Sequence, residues 1–343
     1  MPILPSLATT VIGSVAFTDV DKALDLTARA CPLIPAWPQM TRVRGREDMV
    51  LQAADGLPCL VVDEDNRRIV VETTGREEAL TEFYEHFLSE DYDYFAIPSE
   101  AASGLEPFFK RARDNAEFGP DFLKVQICGP ISFGTSVRTG DDKNLLDDPD
   151  LSDTVVKGLG AKAAWLTDKV RETGRFPLVF LDEPGLTGYG SAFSTLNGDR
   201  VTAMINEAAG IVRSRGDALI GTHVCGNTDW GLLASADIDI VALDAFGYAD
   251  HFALYPQQVR SFLDRGGYIA WGIIPTLNFT GNETAENLSQ RLKDAWQLLS
   301  AKGVDIDLIR ERSLITPACG LGPISPEDGI RILDLLPQVV ERL

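Results

Sequence analysis

Short runs of apolar and β-branched residues alternate along the chain with longer stretches in which apolar positions recur at helical spacing. The first pattern is that of strands buried on both faces and the second that of amphipathic helices, so their alternation predicts βα units around a parallel sheet. The predicted strands fall at 9–14, 34–39, 123–128, 178–182, 219–224, 239–243, 268–273 and 313–317, eight in all. Helical patterns occupy 20–29, 46–54, 76–88, 105–115, 151–173, 200–215, 229–234, 256–265, 285–302 and 327–343. Several carry their own boundary signals: Asp199 precedes one helix, Gly266-Gly267 follows another, and Ser325-Pro326 supplies an N-cap with proline in the first turn.

Eight strands with following helices predict an α/β fold, a closed (β/α)8 TIM barrel, with one interruption. Within 59–100, Val61-Val62 and Ile69-Val70-Val71 flank a polar turn, the pattern of a β-hairpin. That segment reads as a hairpin and helical insertion between the second and third barrel strands. No proline- or serine-rich linker divides the chain and no internal repeat is evident, so residues 1–343 are expected to form one domain.

Composition narrows the class of function. The chain is 45% hydrophobic and 24% charged, which suits a sizeable globular core. Its 31 basic and 51 acidic residues give a net charge of −20, which argues against nucleic acid and against an anionic membrane surface as partner. No stretch of about 18 consecutive apolar residues marks a membrane span, and no basic segment precedes the first apolar stretch as in a secretory signal. Cysteines 31, 59, 128, 225 and 319 are odd in number and scattered, which fits no disulfide framework. A reducing cytoplasmic setting is expected, with thiols free for metal or catalysis.

The reactive residues end the predicted strands. In such a barrel all C-terminal strand ends open onto one face. The fifth strand runs into His223-Val224-Cys225, the sixth ends at Asp244, and the eighth leads into Pro317-Ala318-Cys319-Gly320. His223 and Cys225, two apart on an extended segment, point the same way, and Asp244 and Cys319 could converge with them. One imidazole, two thiolates and one carboxylate make a tetrahedral zinc set, and sulfur favours zinc over magnesium or calcium. The competing reading is that free cysteines are among the most buried residues of cores. The fourth strand ends Asp182-Glu183-Pro184. Such an acid pair could hold a substrate amine or act as acid and base, or cap a helix; Asp182 is favoured for function and Glu183 stays open. Cys128, before Gly129-Pro130, reads as core. The glycine-rich run 185–191 lacks the spacing of a dinucleotide site. Trp37, Phe133, Phe246, Tyr248 and Trp271 lie near strand ends, where they either line a pocket or pack a core; His86 and His251 read as surface histidines.

Taken in order, Ile12-Gly13-Ser14, Cys128-Gly129-Pro130, Leu181-Asp182-Glu183-Pro184, His223-x-Cys225, Asp244 and Pro317-x-Cys319-Gly320-Leu321 resemble the catalytic half of cobalamin-independent methionine synthase. That family sits among the uroporphyrinogen-decarboxylase/methionine-synthase-like barrels, and the resemblance covers nearly the whole chain. It implies zinc-dependent methyl transfer to a thiol, with His223, Cys225, Asp244 and Cys319 as zinc ligands. It further implies that Asp182 holds the amino group of homocysteine and that Ser14 contacts its carboxylate end. Three departures accompany the match. Asp244 stands where the family has glutamate, and Ile274 stands where it has a histidine that assists protonation of the folate leaving group. The duplicated N-terminal half that helps hold polyglutamyl folate is absent. The family's strand-two acid is not evident either: Val43 or its neighbours take its place, and Gln39 is the candidate substitute.

A corrinoid cobalt leaves without a proton, so these departures imply a methylcorrinoid donor, as methylcobalamin or on a corrinoid protein, and homocysteine as acceptor. The alternatives are transfer to another thiol such as coenzyme M, demethylation in reverse, a uroporphyrinogen-type decarboxylase, or a non-catalytic zinc or corrinoid carrier.

Overall fold

The computed structural model describes residues 1–189 and 197–343. Seven parallel strands curl into one sheet. In spatial order they are β1 (Ala8–Thr9), β9 (Ser313–Pro317), β8 (Tyr268–Ile274), β7 (Ile240–Leu243), β6 (Leu219–Val224), β5 (Phe176–Asp182) and β4 (Phe122–Cys128). Two further strands, β2 (Leu60–Asp63) and β3 (Arg68–Val71), pair antiparallel as the hairpin expected in the insertion. Helices surround the sheet, giving the α/β, TIM-barrel-like architecture read from the alternation of patterns.

The expected second strand differs in kind. Segment 34–39 is extended, yet it joins its neighbours only by isolated parallel bridges, Ala36 to Lys124 of β4 and Gln39 to Ser14. Trp37 N donates to Lys124 O at 3.0 Å and Lys124 N to Pro35 O at 3.0 Å; on the other side Gln39 N donates to Gly13 O at 3.1 Å and Val15 N to Gln39 O at 3.0 Å. Pro35 and Pro38 have no N–H to give, so a continuous ladder cannot form here. The expected first strand, 9–14, is likewise regular only at its start: Thr10 N still reaches Ile315 O at 3.1 Å before the chain crosses to the 34–39 stave.

Inward-facing side chains fill the barrel in layers. Gln126, Phe180 and Gly221 share one level, and Cys128, Asp182, His223 and Ala242 share a level above it. Gly221 leaves room for Phe180, whose ring would stand 2.5 Å from an added β-carbon. Lys124 is fully buried with Nζ 4.3 Å from the Phe180 ring centre. It donates to Ile12 O at 2.6 Å and Gln126 Oε1 at 3.1 Å. Desolvation pushes its ammonium below the ordinary lysine range, partly offset by the Asp182 carboxylate.

The insertion continues through the helix Arg76–Leu88 and the 3-10 turn Tyr92–Phe95. Buried Lys162, from the helix Pro149–Glu172, fastens it by donating to Phe95 O at 2.6 Å and Asp55 O at 2.9 Å. The expected 46–54 helix is split: Asp48 ends the 3-10 turn Gly45–Glu47 and caps the helix Met49–Ala53 through Val50 N. Three short helices, Pro130–Ser136, Ala245–Phe252 and Ile306–Glu311, were not expected from the pattern. At six to eight residues each, they span only about two turns, too short for an apolar period to show. Among the described residues no helix is long and apolar enough to cross a membrane.

Candidate active site at the barrel mouth

The C-terminal strand ends enclose a cavity of about 630 Å³. Its floor holds Asp182 from β5 and His223 from β6, which are register partners on adjacent strands, with Cys225 just beyond β6 and Cys319 just beyond β9. One ring nitrogen of His223 and the Sγ atoms of Cys225 and Cys319 all lie within 4.8 Å of one another. His223 is 2% exposed, and neither ring nitrogen has a hydrogen-bond partner among the described residues. A buried imidazole with both nitrogens idle is costly unless something else engages it. A borderline-soft cation held by nitrogen and sulfur meets that need, so the donor set fits zinc.

The two sulfurs share a proton unequally. A hydrogen bond from the Cys319 thiol, then His223 beside it, holds Cys225 well below the usual thiol range, and the same hydrogen bond holds Cys319 above it. Cys319 is fixed by interlocking turns. Leu321 N donates to Ser14 O at 2.8 Å and Gly322 N to Ser14 Oγ at 3.3 Å, and a β-carbon on Gly320 would fall 2.2 Å from that Oγ. The Ile12-Gly13-Ser14 and Cys319-Gly320-Leu321 motifs are therefore two halves of one contact.

Asp182 is nearly buried, and its Oδ1 has no partner among the described residues. Desolvation pushes its carboxyl up, against the pull of Lys124 and His223. Ser14 and Gln39 also line the cavity. The Gln39 amide nitrogen, however, donates to Gln52 Oε1 at 2.8 Å, and Gln52 in turn donates to Ala101 O at 2.5 Å.

Other expected residues fall elsewhere. Asp244 is outside the His–Cys–Cys group: it caps the helix Ala245–Phe252, its Oδ1 accepting from Gly247 N at 2.8 Å. Glu183 does not reach the cavity. It is fully buried and accepts from Ile131 N at 3.0 Å and Ser132 N at 2.7 Å, so it caps the preceding helix Pro130–Ser136. The capping alternative thus applies to Glu183, on the helix before β5 rather than after it. Burial pushes its carboxyl up to about 7. Ile274 is fully buried, and on that side Leu277 faces the cavity instead. Val43 is not a lining residue. Trp37, Phe133 and Trp271 are core residues, and neither Phe246 nor Tyr248 lines the cavity. Cys128 is fully buried, as expected. His86 stacks on Tyr94 and pairs with Asp91, and His251 is exposed. Of the 185–191 run, Gly190 and Ser191 lie outside the described residues.

Sequence reasoning missed Lys124, Arg42, Asp48 and Arg67. Lys124 had a signal, a single cation at an inward position of the strand Phe-Leu-Lys-Val-Gln-Ile-Cys, whose other residues are uncharged. The other three come from loops and the hairpin turn, where no periodicity reports direction.

No family model and no curated protein matches this sequence. Among solved structures the chain is similar to a B12-independent methionine synthase from Shewanella sp. W3-18-1, determined in complex with selenomethionine. Identity is 14%, coverage 98% of this chain and 97% of that one, and the TM-score 0.60. Weaker likenesses are a glycoside hydrolase (12% identity, 97% and 98% coverage, TM-score 0.48) and an endo-β-1,4-mannanase from Cellulomonas fimi (14%, 69% and 57%, 0.43). At such identities the first of these establishes a shared barrel fold, spanning almost the whole of both chains.

Proposed function

We propose that this protein is a zinc-dependent methyltransferase of the methionine-synthase-like barrels, transferring a methyl group to a small thiol, homocysteine giving methionine. The reading rests on one observation: an imidazole and two thiols clustered within 4.8 Å at the open end of the barrel, with the imidazole otherwise unpartnered among the described residues. His223, Cys225 and Cys319 would hold the metal. When bound, zinc would lower the pKa of an acceptor thiol so that it is present as the nucleophilic thiolate at neutral pH.

The chain's own residues account for the rest. Asp182 offers its Oδ1, which has no partner among the described residues, to the acceptor's ammonium group; burial pushes its carboxyl up, and the buried Lys124 beneath it opposes that shift. Ser14, clamped to the Cys319 loop, lies where it can meet the carboxylate end. The barrel layers of Phe180 and its neighbours close the cavity from below and exclude water.

For the donor, no titratable residue from β8 or its following loop lines the cavity among the described residues. That favours a leaving group that needs no proton, a methylcorrinoid, free or carried by a partner protein. The test is a metal assay on the purified protein, followed by incubation with homocysteine and either methylcobalamin or N5-methyltetrahydrofolate. Stoichiometric zinc and methionine formed from the corrinoid are expected. A metal-free protein with no turnover overturns the whole reading; turnover with the folate alone overturns the donor.

A further inference from the structure

A second cavity, of about 490 Å³, lies beside the first, between the β2–β3 hairpin and segment 136–140. Asp48 and Arg67 line both, so the two are adjoining compartments. Arg67 sits in the hairpin turn at φ 48°, its Nε 3.6 Å from where a β-carbon on Gly45 would stand, and Gly45 itself lines the barrel cavity. The insertion thus carries a guanidinium back to the barrel mouth. Arg68 and Arg138 also line the side compartment. Arg68 is paired with Asp63 at 2.9 Å, but neither Arg67 nor Arg138 has a carboxylate partner among the described residues. Other arginines, such as Arg42, Arg44, Arg175 and Arg291, also donate to carbonyls rather than carboxylates; what sets Arg67 and Arg138 apart is that both line one cleft, with the Asp48 carboxylate as its acidic lining group. The planar guanidinium fork suits carboxylate and phosphate oxygens.

We propose that this side compartment binds the anionic arm, carboxylate- or phosphate-bearing, of the co-substrate whose reactive part enters the barrel cavity, with Arg67 and Arg138 as its recognition groups. The proposal rests on the methyl-transfer reading only for what the reactive part does; binding of the arm is separable from it.

The probes are inorganic pyrophosphate and tricarballylate, titrated calorimetrically into the full chain at low and at moderate salt. One or both should bind, with affinity falling as salt rises. Arg67→Asn, which tolerates the left-handed backbone at that position, and Arg138→Gln should each weaken binding by about tenfold. Zinc content and the far-ultraviolet spectrum should stay unchanged. Preference for pyrophosphate would identify a phosphate arm, and preference for tricarballylate a carboxylate arm. Binding of neither probe, or binding indifferent to both substitutions, overturns the proposal. Anion binding by a protein that holds no zinc would instead overturn the methyl-transfer reading and leave this one standing.

Discussion

At the scale of single residues, side chains whose surroundings are set by strand parity were readable, and those whose role depends on a local choice were not. His223, Cys225 and Cys319 converge because strand ends and a two-residue spacing dictate it. Asp244 and Glu183 are carboxylates beside helix starts, and whether such a group faces a cavity or caps a helix depends on a few degrees of backbone that no spacing encodes. Replacing Cys225 or Cys319 by serine should lower zinc affinity by more than the about 10- to 100-fold that outer-shell changes cost, as measured by chelator competition, while the fold persists. Glu183→Ala leaves two buried N–H groups unmet and should cost about 2 to 3 kcal/mol in urea unfolding. The pH dependence has a definite sign. Glu183 titrates at about 7 when folded against an ordinary 4.5, so the folded state holds the proton more tightly. Its contribution is complete below about 4.5 and is lost as pH rises through 7. Glu183→Gln should flatten that part of the stability profile.

At the scale of elements, long periodic helices and the hairpin were legible because apolar spacing and turn residues determine them locally. Arg76–Leu88 appears with the expected bounds, whereas Pro130–Ser136 exists through tertiary support from Glu183 and has no period of its own. The attachment of the insertion was equally invisible, since it depends on Lys162, a lysine buried in the middle of a helix. Lys162→Met should strand the carbonyls of Asp55 and Phe95 and cost about 2 to 3 kcal/mol, detectable as a lower urea midpoint. Burial holds the Lys162 ammonium down to about 8 from 10.5, so its penalty is felt below about 8 and relieved as pH rises toward 10.5.

At the scale of the whole molecule, the barrel followed from the count of βα units, but its manner of closure did not. Net charge acts at this scale too. With −20 distributed over one chain, self-repulsion opposes compaction. Raising ionic strength from about 0.01 M to about 0.15 M shortens the screening length from about 30 Å to about 8 Å. The urea midpoint should therefore rise with sodium chloride; a fall would show that attractive pairs dominate. The proline-bearing stave at 34–39 has its own consequence. It is stitched to each neighbour by two backbone bonds, whereas β4 and β5 are zipped along seven residues. Breathing of the cylinder should begin along that seam, with the amides of Val15, Trp37 and Gln39 trading hydrogen for deuterium well before those of β5. Because Gln39 and Ser14 flank the seam, the weakest line of the wall is also the edge of the doorway through which a bulky reactant must pass.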